Sequence, residues 1–308
     1  VEINENLSIN GFIDTSWNDI ETNDANTEDQ KLGLDEIELN FLFNVGNVSG
    51  AIHIDDHDNI DTNNSMGGYA GDGDIDIEQA HFTYGLENGV SFTIGKYGSK
   101  LGFEREDPSG LYTYSRAYQN SVNGGSTFNL GNVDAYVFEG AAVSYAGETF
   151  SLNLSFHNDG DSNLENDDLN TELSFSYTGI ENLVIGGGFL FDNQGNATAT
   201  ETDVMNVHAA YQTGKFLFAA EYTEMDIDGT TTNDKLDGYM FLADYSVSDK
   251  LAIALRVSAN EITSNVDHDK LTIAPRYAIT DSLGAVIEFS DIDVGTEDAN
   301  LVAVELTD

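Results

Sequence analysis

Apolar and polar residues alternate with a period of two along most of the chain. Between residues 150 and 157, for example, Phe, Leu, Leu and Phe are separated by Ser, Asn and Ser. This spacing puts the apolar side chains on one face of an extended strand and the polar side chains on the other. The pattern predicts sixteen strands, near residues 6–17, 34–44, 47–55, 75–84, 90–96, 137–145, 149–157, 170–178, 182–191, 203–211, 216–226, 236–246, 250–261, 268–278, 283–291 and 300–307.

The predicted connections alternate between short turns and long segments without exception. The short turns fall at 46–47, 87–89, 146–148, 179–182, 213–214, 248–249 and 280–281. The long connections, rich in Asp, Asn, Gly and Thr, fall near 18–33, 56–74, 97–136, 158–169, 192–202, 227–235, 262–267 and 292–299. A meander with tight turns at one end and long loops at the other is typical of outer-membrane barrels, with the turns periplasmic and the loops extracellular.

Tyrosines recur at the short-turn end of this meander, in phase with the apolar face. Strands end on a tyrosine just before a short turn at Tyr84, Tyr145, Tyr177, Tyr211, Tyr245 and Tyr277. Phe43 takes the same place in the second predicted strand. Because aromatic residues concentrate where a barrel crosses a membrane–water interface, this register predicts an aromatic girdle.

These features favour a single all-β domain over residues 1–308, a transmembrane antiparallel barrel of sixteen strands. A closed barrel leaves no unpaired backbone edge in lipid, and sixteen strands enclose a water-filled channel. A soluble sandwich has the same periodicity, but it would bury its apolar faces between two sheets. Strand number, loop asymmetry and tyrosine register favour the barrel, with both termini at the periplasmic end. The lumen-facing acids are then Asp14, Glu36, Glu38, Glu172, Glu221, Asp244 and Glu288.

The chain is strongly acidic, with a formal net charge of −44. Such a charge repels nucleic acid and excludes peripheral membrane binding through basic residues. Acidity is also typical of disorder, but 40% hydrophobic residues argue against it, and a saline habitat explains the charge equally well. The chain contains no run of 18 apolar residues, so no transmembrane helix is predicted, and it has no cysteine that could form a disulfide. The residues 1–5 are those expected of a mature N-terminus after signal cleavage.

Three segments resemble the β-barrel porin-2 family and, more broadly, sixteen-stranded porins. They are residues 7–14 (LSINGFID), 92–104 (FTIGKYGSKLGFE) and 114–118 (YSRAY). The resemblance implies a channel in the bacterial outer membrane, surrounded by lipid and lipopolysaccharide and assembled as a homotrimer, through which small hydrophilic solutes and ions diffuse. The final strand departs from such barrels because it ends at Asp308 instead of an aromatic residue. Either the chain stops short of the natural terminus or its assembly signal differs.

The connection 97–136 is the longest and carries a charged cluster. Lys100, Arg105 and Arg116 alternate with the acids Glu104, Glu106 and Asp107. Lys96, just before it, has lipid-facing parity. Since a long loop in a compact domain is usually functional, we expect this one to fold into the barrel and narrow it. The alternative is an exposed extracellular loop whose charges are solvated.

Two arginines, Arg256 and Arg276, have lumen-facing parity on the thirteenth and fourteenth predicted strands. Facing the loop acids across the pore, they would create a transverse field that favours polar solutes. A structural ion pair, such as Arg256 with Glu288, is an equal alternative. The net charge and the lumen acids predict weak cation selectivity.

Clustered carboxylates in the loops could bind calcium, although no complete twelve-residue calcium loop is present. The candidate ligands are Asp72, Asp74, Asp76, Asp159, Asp161, Asp226 and Asp228. Apart from calcium, no cofactor is expected.

Two other classes of barrel remain as alternatives, an outer-membrane lipase or protease and a calcium-dependent surface or adhesion barrel. A lipase needs Ser and His together on the lipid face. Instead, lumen-facing parity is predicted for His53, His81, His157 and His208, and loop positions for His57 and His268. No Gly-x-Ser-x-Gly motif occurs, so an enzyme is not expected.

Overall fold

The computed structural model describes residues 1–23, 28–57, 75–104, 108–118, 137–158, 169–192, 201–228, 233–263 and 266–308. A short strand, β1 (Glu2–Asn4), pairs with the start of the first long strand. The sixteen long strands are β2 (Leu7–Thr22), β3 (Glu28–Val45), β4 (Val48–His57), β5 (Asp76–Gly85), β6 (Val90–Gly98), β7 (Val137–Ala146), β8 (Phe150–His157), β9 (Asn170–Ile180), β10 (Leu183–Phe191), β11 (Glu201–Thr213), β12 (Phe216–Asp228), β13 (Asn233–Ser246), β14 (Leu251–Thr263), β15 (Val266–Ala278), β16 (Gly284–Val294) and β17 (Glu297–Thr307).

Each long strand pairs antiparallel with its neighbours in the chain, and the last strand closes the sheet on the first. Val304 of β17 lies opposite Trp17 of β2, and the backbones of Ile13 and Asp308 exchange hydrogen bonds. The prediction of a closed sixteen-stranded antiparallel barrel with both termini at the short-turn end is therefore confirmed.

The two faces of the sheet are those of a barrel and not of a sandwich. Phe156 and Phe218, which a sandwich would bury, are 43% and 45% exposed on the outer surface. The side chains of Glu172 and Glu288, in contrast, are buried inside. A closed sheet with an apolar exterior and a charged interior satisfies every backbone group within lipid while keeping polar groups around the lumen.

The tyrosines lie at one height, as their register predicted. Each pairs with the first residue of the preceding strand, as Tyr245 does with Phe216 and Tyr277 with Leu251. The rings of Tyr245 and Phe216 are 4.6 Å apart between centroids. All six tyrosines are exposed on the outer surface and form a girdle at the short-turn end.

Several strands extend further at the loop end than the sequence pattern predicted. The predicted loop 18–33 is mostly strand, because β2 continues to Thr22 and β3 begins at Glu28. The predicted loop 292–299 is reduced to a two-residue turn between Val294 and Glu297, with Gly295 at a φ of +60°. The strict alternation of short turns and long loops was therefore wrong at this hairpin. Near the loop end both faces of the sheet contact water. Backbone pairing continues there, but the alternation of apolar and polar residues that predicts the strands has already ended.

Helical structure in the described part of the chain is limited to a 3-10 turn at Pro108–Gly110. No helix among those residues is long and apolar enough to cross a membrane.

Candidate pore constriction

The long connection after β6 enters the barrel. We call its described residues, 99–104 and 108–118, the inner segment. Leu101 is fully buried, and Tyr114 and Ala117 are only 1% exposed. Leu101 packs with Leu190 of β10 and Val204 of β11 in one apolar cluster. The segment therefore lies against the inner wall, mainly on the side built by the later strands, and the Tyr114 hydroxyl also accepts a hydrogen bond from Asn18 Nδ2 of β2 at 2.9 Å.

Carboxylates of the wall hold the first part of the inner segment. The Ser99 hydroxyl donates to Glu172 Oε2 of β9 over 2.5 Å, and the Phe103 backbone N–H donates to Glu221 Oε2 of β12 over 2.5 Å. Hydrogen bonds to a charged acceptor are stronger than neutral ones, so these contacts fix the path of the backbone across several strands.

Arg256 of β14 forms the centre of the second part. Its guanidinium is fully buried and donates from Nη1 to Glu104 Oε1 at 2.6 Å and to Thr113 Oγ1 at 2.7 Å. Nη2 donates to Ser115 Oγ at 3.3 Å. Glu104 also accepts from the Ala117 backbone N–H at 2.7 Å. One wall arginine thus joins both ends of the inner segment.

A second charged pair holds the same stretch from β15 and β16. Ser115 donates through its backbone N–H to Glu288 Oε2 at 2.9 Å, and its hydroxyl also contacts Glu288. Lys270 Nζ lies 4.0 Å from Glu288 Oε1 and donates to Ser115 Oγ. Glu288 therefore pairs with Lys270 and Ser115, while Arg256 takes Glu104, so the suggested Arg256–Glu288 pair is not the one formed.

Arg276 of β15 makes a separate contact nearer the short-turn end. Its Nη2 donates to Asp244 Oδ1 at 2.7 Å, and its guanidinium lies 4.8 Å from the centre of the Tyr112 ring. Burial raises the pKa of the Tyr112 phenol, so a neutral aromatic ring faces the cation. Tyr112 in turn stacks on Phe103 at 6.0 Å.

The structure brings only some of the candidate pore residues together. Glu104, Arg116 and Arg256 come together, because Arg116 Nη1 donates to the Glu104 backbone carbonyl. Arg276 lies in its own pair, and Lys100 is exposed to solvent. Outside the described residues lie Arg105, Glu106, Asp107 and the stretch 119–136.

The side chains of five of the seven candidate calcium ligands lie outside the described part of the structure. Asp72, Asp74, Asp159 and Asp161 lie outside the described residues, and of Asp76 only the backbone is described, at the start of β5. The remaining pair, Asp226 and Asp228, belongs to β12 and is exposed. This stretch is not a loop, because β12 and β13 pair as far as Asp228 and Asn233. Calcium binding in the loops stays a prediction.

Sequence reasoning missed two features of the lumen. Lys270 has the same parity as Arg276, so alternation along β15 was a sufficient signal for it. The other is a cluster of Glu38, His53 and Glu78, whose ligand atoms all lie within 4.8 Å of one another. Parity could not reveal Glu78, because a β-bulge turns it inward. His268 was also misplaced, since it is a buried residue of β15 and not a loop residue.

The family described as "Putative beta-barrel porin-2, OmpL-like" matches residues 30–284. The chain belongs to this family. The match runs from Gln30 in β3 to Gly284 at the start of β16 and includes the whole inner segment, so the constriction candidate lies within the family domain. No curated protein sequence matches the chain significantly.

Solved porin structures share the fold at low sequence identity. The anion-selective porin from Comamonas acidovorans is 12% identical over 98% of this chain and 100% of its own, with a TM-score of 0.69. The outer-membrane channel DcaP of Acinetobacter baumannii is 14% identical over 100% and 98%, with a TM-score of 0.66. The trimer form of OmpT from Vibrio cholerae is 13% identical over 98% and 99%, with a TM-score of 0.66.

Proposed function

We propose that this porin is a general diffusion channel of the bacterial outer membrane, through which small hydrophilic solutes and ions pass passively. The inner segment narrows the lumen and sets the size limit. The observation that carries this proposal is that buried charged side chains anchor the segment. Arg256 donates a hydrogen bond to Glu104, and Glu288 accepts one from the Ser115 backbone N–H. A segment held in this way keeps its position while solutes move past it.

The charges of the lumen support weak cation selectivity. Arg256, Lys270 and Arg276 each contact a carboxylate, so the positive charge of the wall is largely compensated. The net charge of −44 then leaves the surroundings of the channel negative. Crossed charges that remain at the constriction would orient polar solutes in the pore.

The outer surface supports a membrane-embedded trimer. Its exposed apolar residues would contact lipid, and the tyrosine girdle would lie at the periplasmic interface, with lipopolysaccharide around the loop end. OmpT, which shares the fold, has a trimer form. Migration of the unheated, folded protein at three times the chain mass in detergent would support the homotrimer.

A passive channel is also favoured over an enzyme. Family and structural neighbours are porins. In the described strands, the imidazoles of His157 and His268 are buried on the inner side, where they cannot meet lipid. No catalytic step or organic cofactor is part of the proposal.

Removing the constriction tests the proposal directly. We expect single-channel conductance in planar bilayers to rise when residues 100–135 are replaced by a short Gly-Ser linker, because the lumen is no longer narrowed. Replacing residues 159–168 in the same way, at another loop-end connection, is the matched control and should leave conductance close to that of the parent.

Folding of both variants is checked by their heat-modifiable migration on gels. Unchanged conductance in a folded 100–135 variant would contradict a constriction formed by the inner segment. Absence of any conductance from the parent protein would contradict the channel itself.

A further inference from the structure

Three residues on the neighbouring strands β3, β4 and β5 bring their ligand atoms together on the inner wall. These strands follow β2 in the sheet, whereas the wall carboxylates that anchor the inner segment lie on strands β9 to β16. Glu38 lies on β3, His53 on β4 and Glu78 on β5. His53 Nδ1 is 3.2 Å from Glu38 Oε1 and 3.6 Å from Glu78 Oε2. Two carboxylates thus converge on the same imidazole nitrogen.

The sheet geometry explains how the three side chains meet. Glu38 pairs with Asp55, two residues from His53, so Glu38 and His53 are diagonal neighbours on one face. Between β4 and β5 the register shifts, with His53 opposite Gln79 and Ile54 opposite Ile77. Glu78 is the extra residue of this β-bulge. Bulges re-aim side chains, and this one turns a carboxylate toward His53.

The Nδ1 atom of His53 needs either a proton or a metal ion between it and the two carboxylates. A neutral imidazole that pointed its Nδ1 lone pair at two carboxylates would be repelled by both of them. Either a proton on Nδ1 or a metal ion among the three ligand atoms removes the repulsion. A divalent ion balances both carboxylates, whereas a proton on Nδ1 leaves two negative charges beside a neutral imidazole and one beside an imidazolium.

The distances fit a small first-row ion. Zn²⁺ binds imidazole nitrogen and carboxylate oxygen at about 2.1 Å in tetrahedral geometry, which puts neighbouring ligand atoms about 3.4 Å apart. The two distances to His53 Nδ1 lie on either side of this value. Imidazole suits zinc, nickel and copper, while calcium and magnesium prefer oxygen alone, so the mixed set selects against the abundant hard cations.

The cluster is accessible to ions from the lumen. The His53 and Glu78 side chains are 19% and 23% exposed, whereas the Glu38 side chain is 1% exposed. A buried carboxylate beneath two partly exposed ligands leaves the fourth position open to water, as in open zinc sites.

We propose that Glu38, His53 and Glu78 form a binding site for a first-row divalent metal ion, such as Zn²⁺, in the wall of the lumen. The bound ion adds positive charge to the inner wall and changes the current through the channel. Binding itself does not depend on the proposed diffusion function, but its effect on the current does.

The binding test uses the full folded chain without an affinity tag. Isothermal titration with Zn²⁺ should give one site per chain. The buffer contains excess Ca²⁺, which occupies acidic groups in the loops. His53→Asn and Glu78→Gln should each weaken that site by about tenfold or more, since even supporting groups around a metal contribute 10–100-fold. His208→Asn, which removes an imidazole from the distant strand β11, should leave Zn²⁺ affinity unchanged.

Cobalt provides a second readout that tests geometry. Co²⁺ should give the intense visible bands of a four-coordinate ion in the parent, and these should be lost in His53→Asn. Absence of Zn²⁺ binding in the parent, or equal affinity in the parent and both ligand variants, would overturn the proposal and leave a protonated imidazole between the acids.

The current is measured separately. Zn²⁺ should change single-channel conductance in the parent and in His208→Asn but not in His53→Asn. If Zn²⁺ binds in the titration but leaves the current unchanged, the metal site stands and its influence on permeation is refuted. A protein that binds Zn²⁺ but conducts no ions refutes the channel function alone.

Discussion

At the scale of single residues, the buried ion pair between Arg256 and Glu104 contributes to the stability of the folded barrel. Both side chains are buried, and each has further hydrogen bonds to the inner segment. Removing one partner of a buried pair leaves an uncompensated charge, which typically costs about 3–5 kcal/mol. The pair therefore acts as one unit in stability.

We expect Arg256→Met to lower the free energy of unfolding by about 3–5 kcal/mol, measured by urea denaturation in lipid vesicles. The double variant with Glu104→Gln should lose less than the sum of the two single variants, by about 0.5–3 kcal/mol, because the orphaned acid is neutralised. Lys235→Met is the control, since it breaks an exposed pair with Glu224 at 2.7 Å and should change stability little. Additive losses in the double variant would contradict the direct coupling.

Residue-level prediction from sequence succeeded where side chains obey strand parity. Arg256, Arg276 and Glu288 face the lumen because each occupies an even step from other lumen residues. Glu78 escaped this reasoning because a bulge changes the parity of β5 by one residue. A single sequence carries no signal for the position of such a bulge. The sequence also could not predict which acid pairs with Arg256, because the partner depends on the path of the inner segment.

At the scale of elements, β10 lies close to both its neighbouring strand and the inner segment. It carries three successive glycines, Gly186, Gly187 and Gly188. A Cβ at Gly188 would lie 2.7 Å from the Ser174 Cα of β9 and 2.9 Å from Leu101 Cδ2 of the inner segment. The missing side chain thus lets both the neighbouring strand and Leu101 approach.

Gly188→Ala should therefore destabilise the barrel by about 1–3 kcal/mol, as overpacking of a close contact does. Gly284→Ala is the matched control, because the nearest atom to its added Cβ is the Thr307 carbonyl oxygen at 3.8 Å. This change should stay within about 0.5 kcal/mol of the parent. Urea unfolding midpoints of the two variants decide the matter, and equal midpoints would refute the packing role of Gly188.

The sequence pattern found every long strand but misjudged where several of them end. Alternation marks the part of a strand that has lipid on one side and water on the other. Beyond that band both faces carry polar residues, for example Asn18 on one face and Asp19 on the other. These residues still pair across β2 and β3, with Lys31 and Gln30 respectively. The periodicity of apolar residues therefore does not predict where strands end on the loop side. The tyrosines of the girdle predict the strand ends on the short-turn side well.

At the scale of the whole molecule, net charge and local charge compete to set ion selectivity. At 0.15 M salt the Debye length is about 8 Å, and at 1 M it is about 3 Å. Distant acidic residues are therefore felt in the lumen at low salt only. Near the inner segment, the wall cations Arg256, Lys270 and Arg276 are already paired.

We expect weak cation preference at low salt that fades, or even reverses, as salt concentration rises. Reversal potentials across a salt gradient in planar bilayers measure this directly. Arg276→Gln should strengthen cation preference modestly, because Asp244 then loses its partner. Strong anion preference at every salt concentration, as the name of the Comamonas porin indicates for that protein, would show that the basic groups of the constriction control the current.

The seam between β2 and β17 has a consequence for how the chain folds. Thr15 and Leu306 meet across it although they are 291 positions apart. The carboxylates of the wall that anchor the inner segment, from Glu172 to Glu288, also lie C-terminal to this segment in the chain. Until the last strand arrives, both edges of the sheet stay unpaired and the inner segment has no finished wall to bind. Open edges attract other chains, and contacts so distant in sequence form slowly. We therefore expect closure of this seam to be a slow step in the folding of the barrel, during which the exposed strand edges favour aggregation.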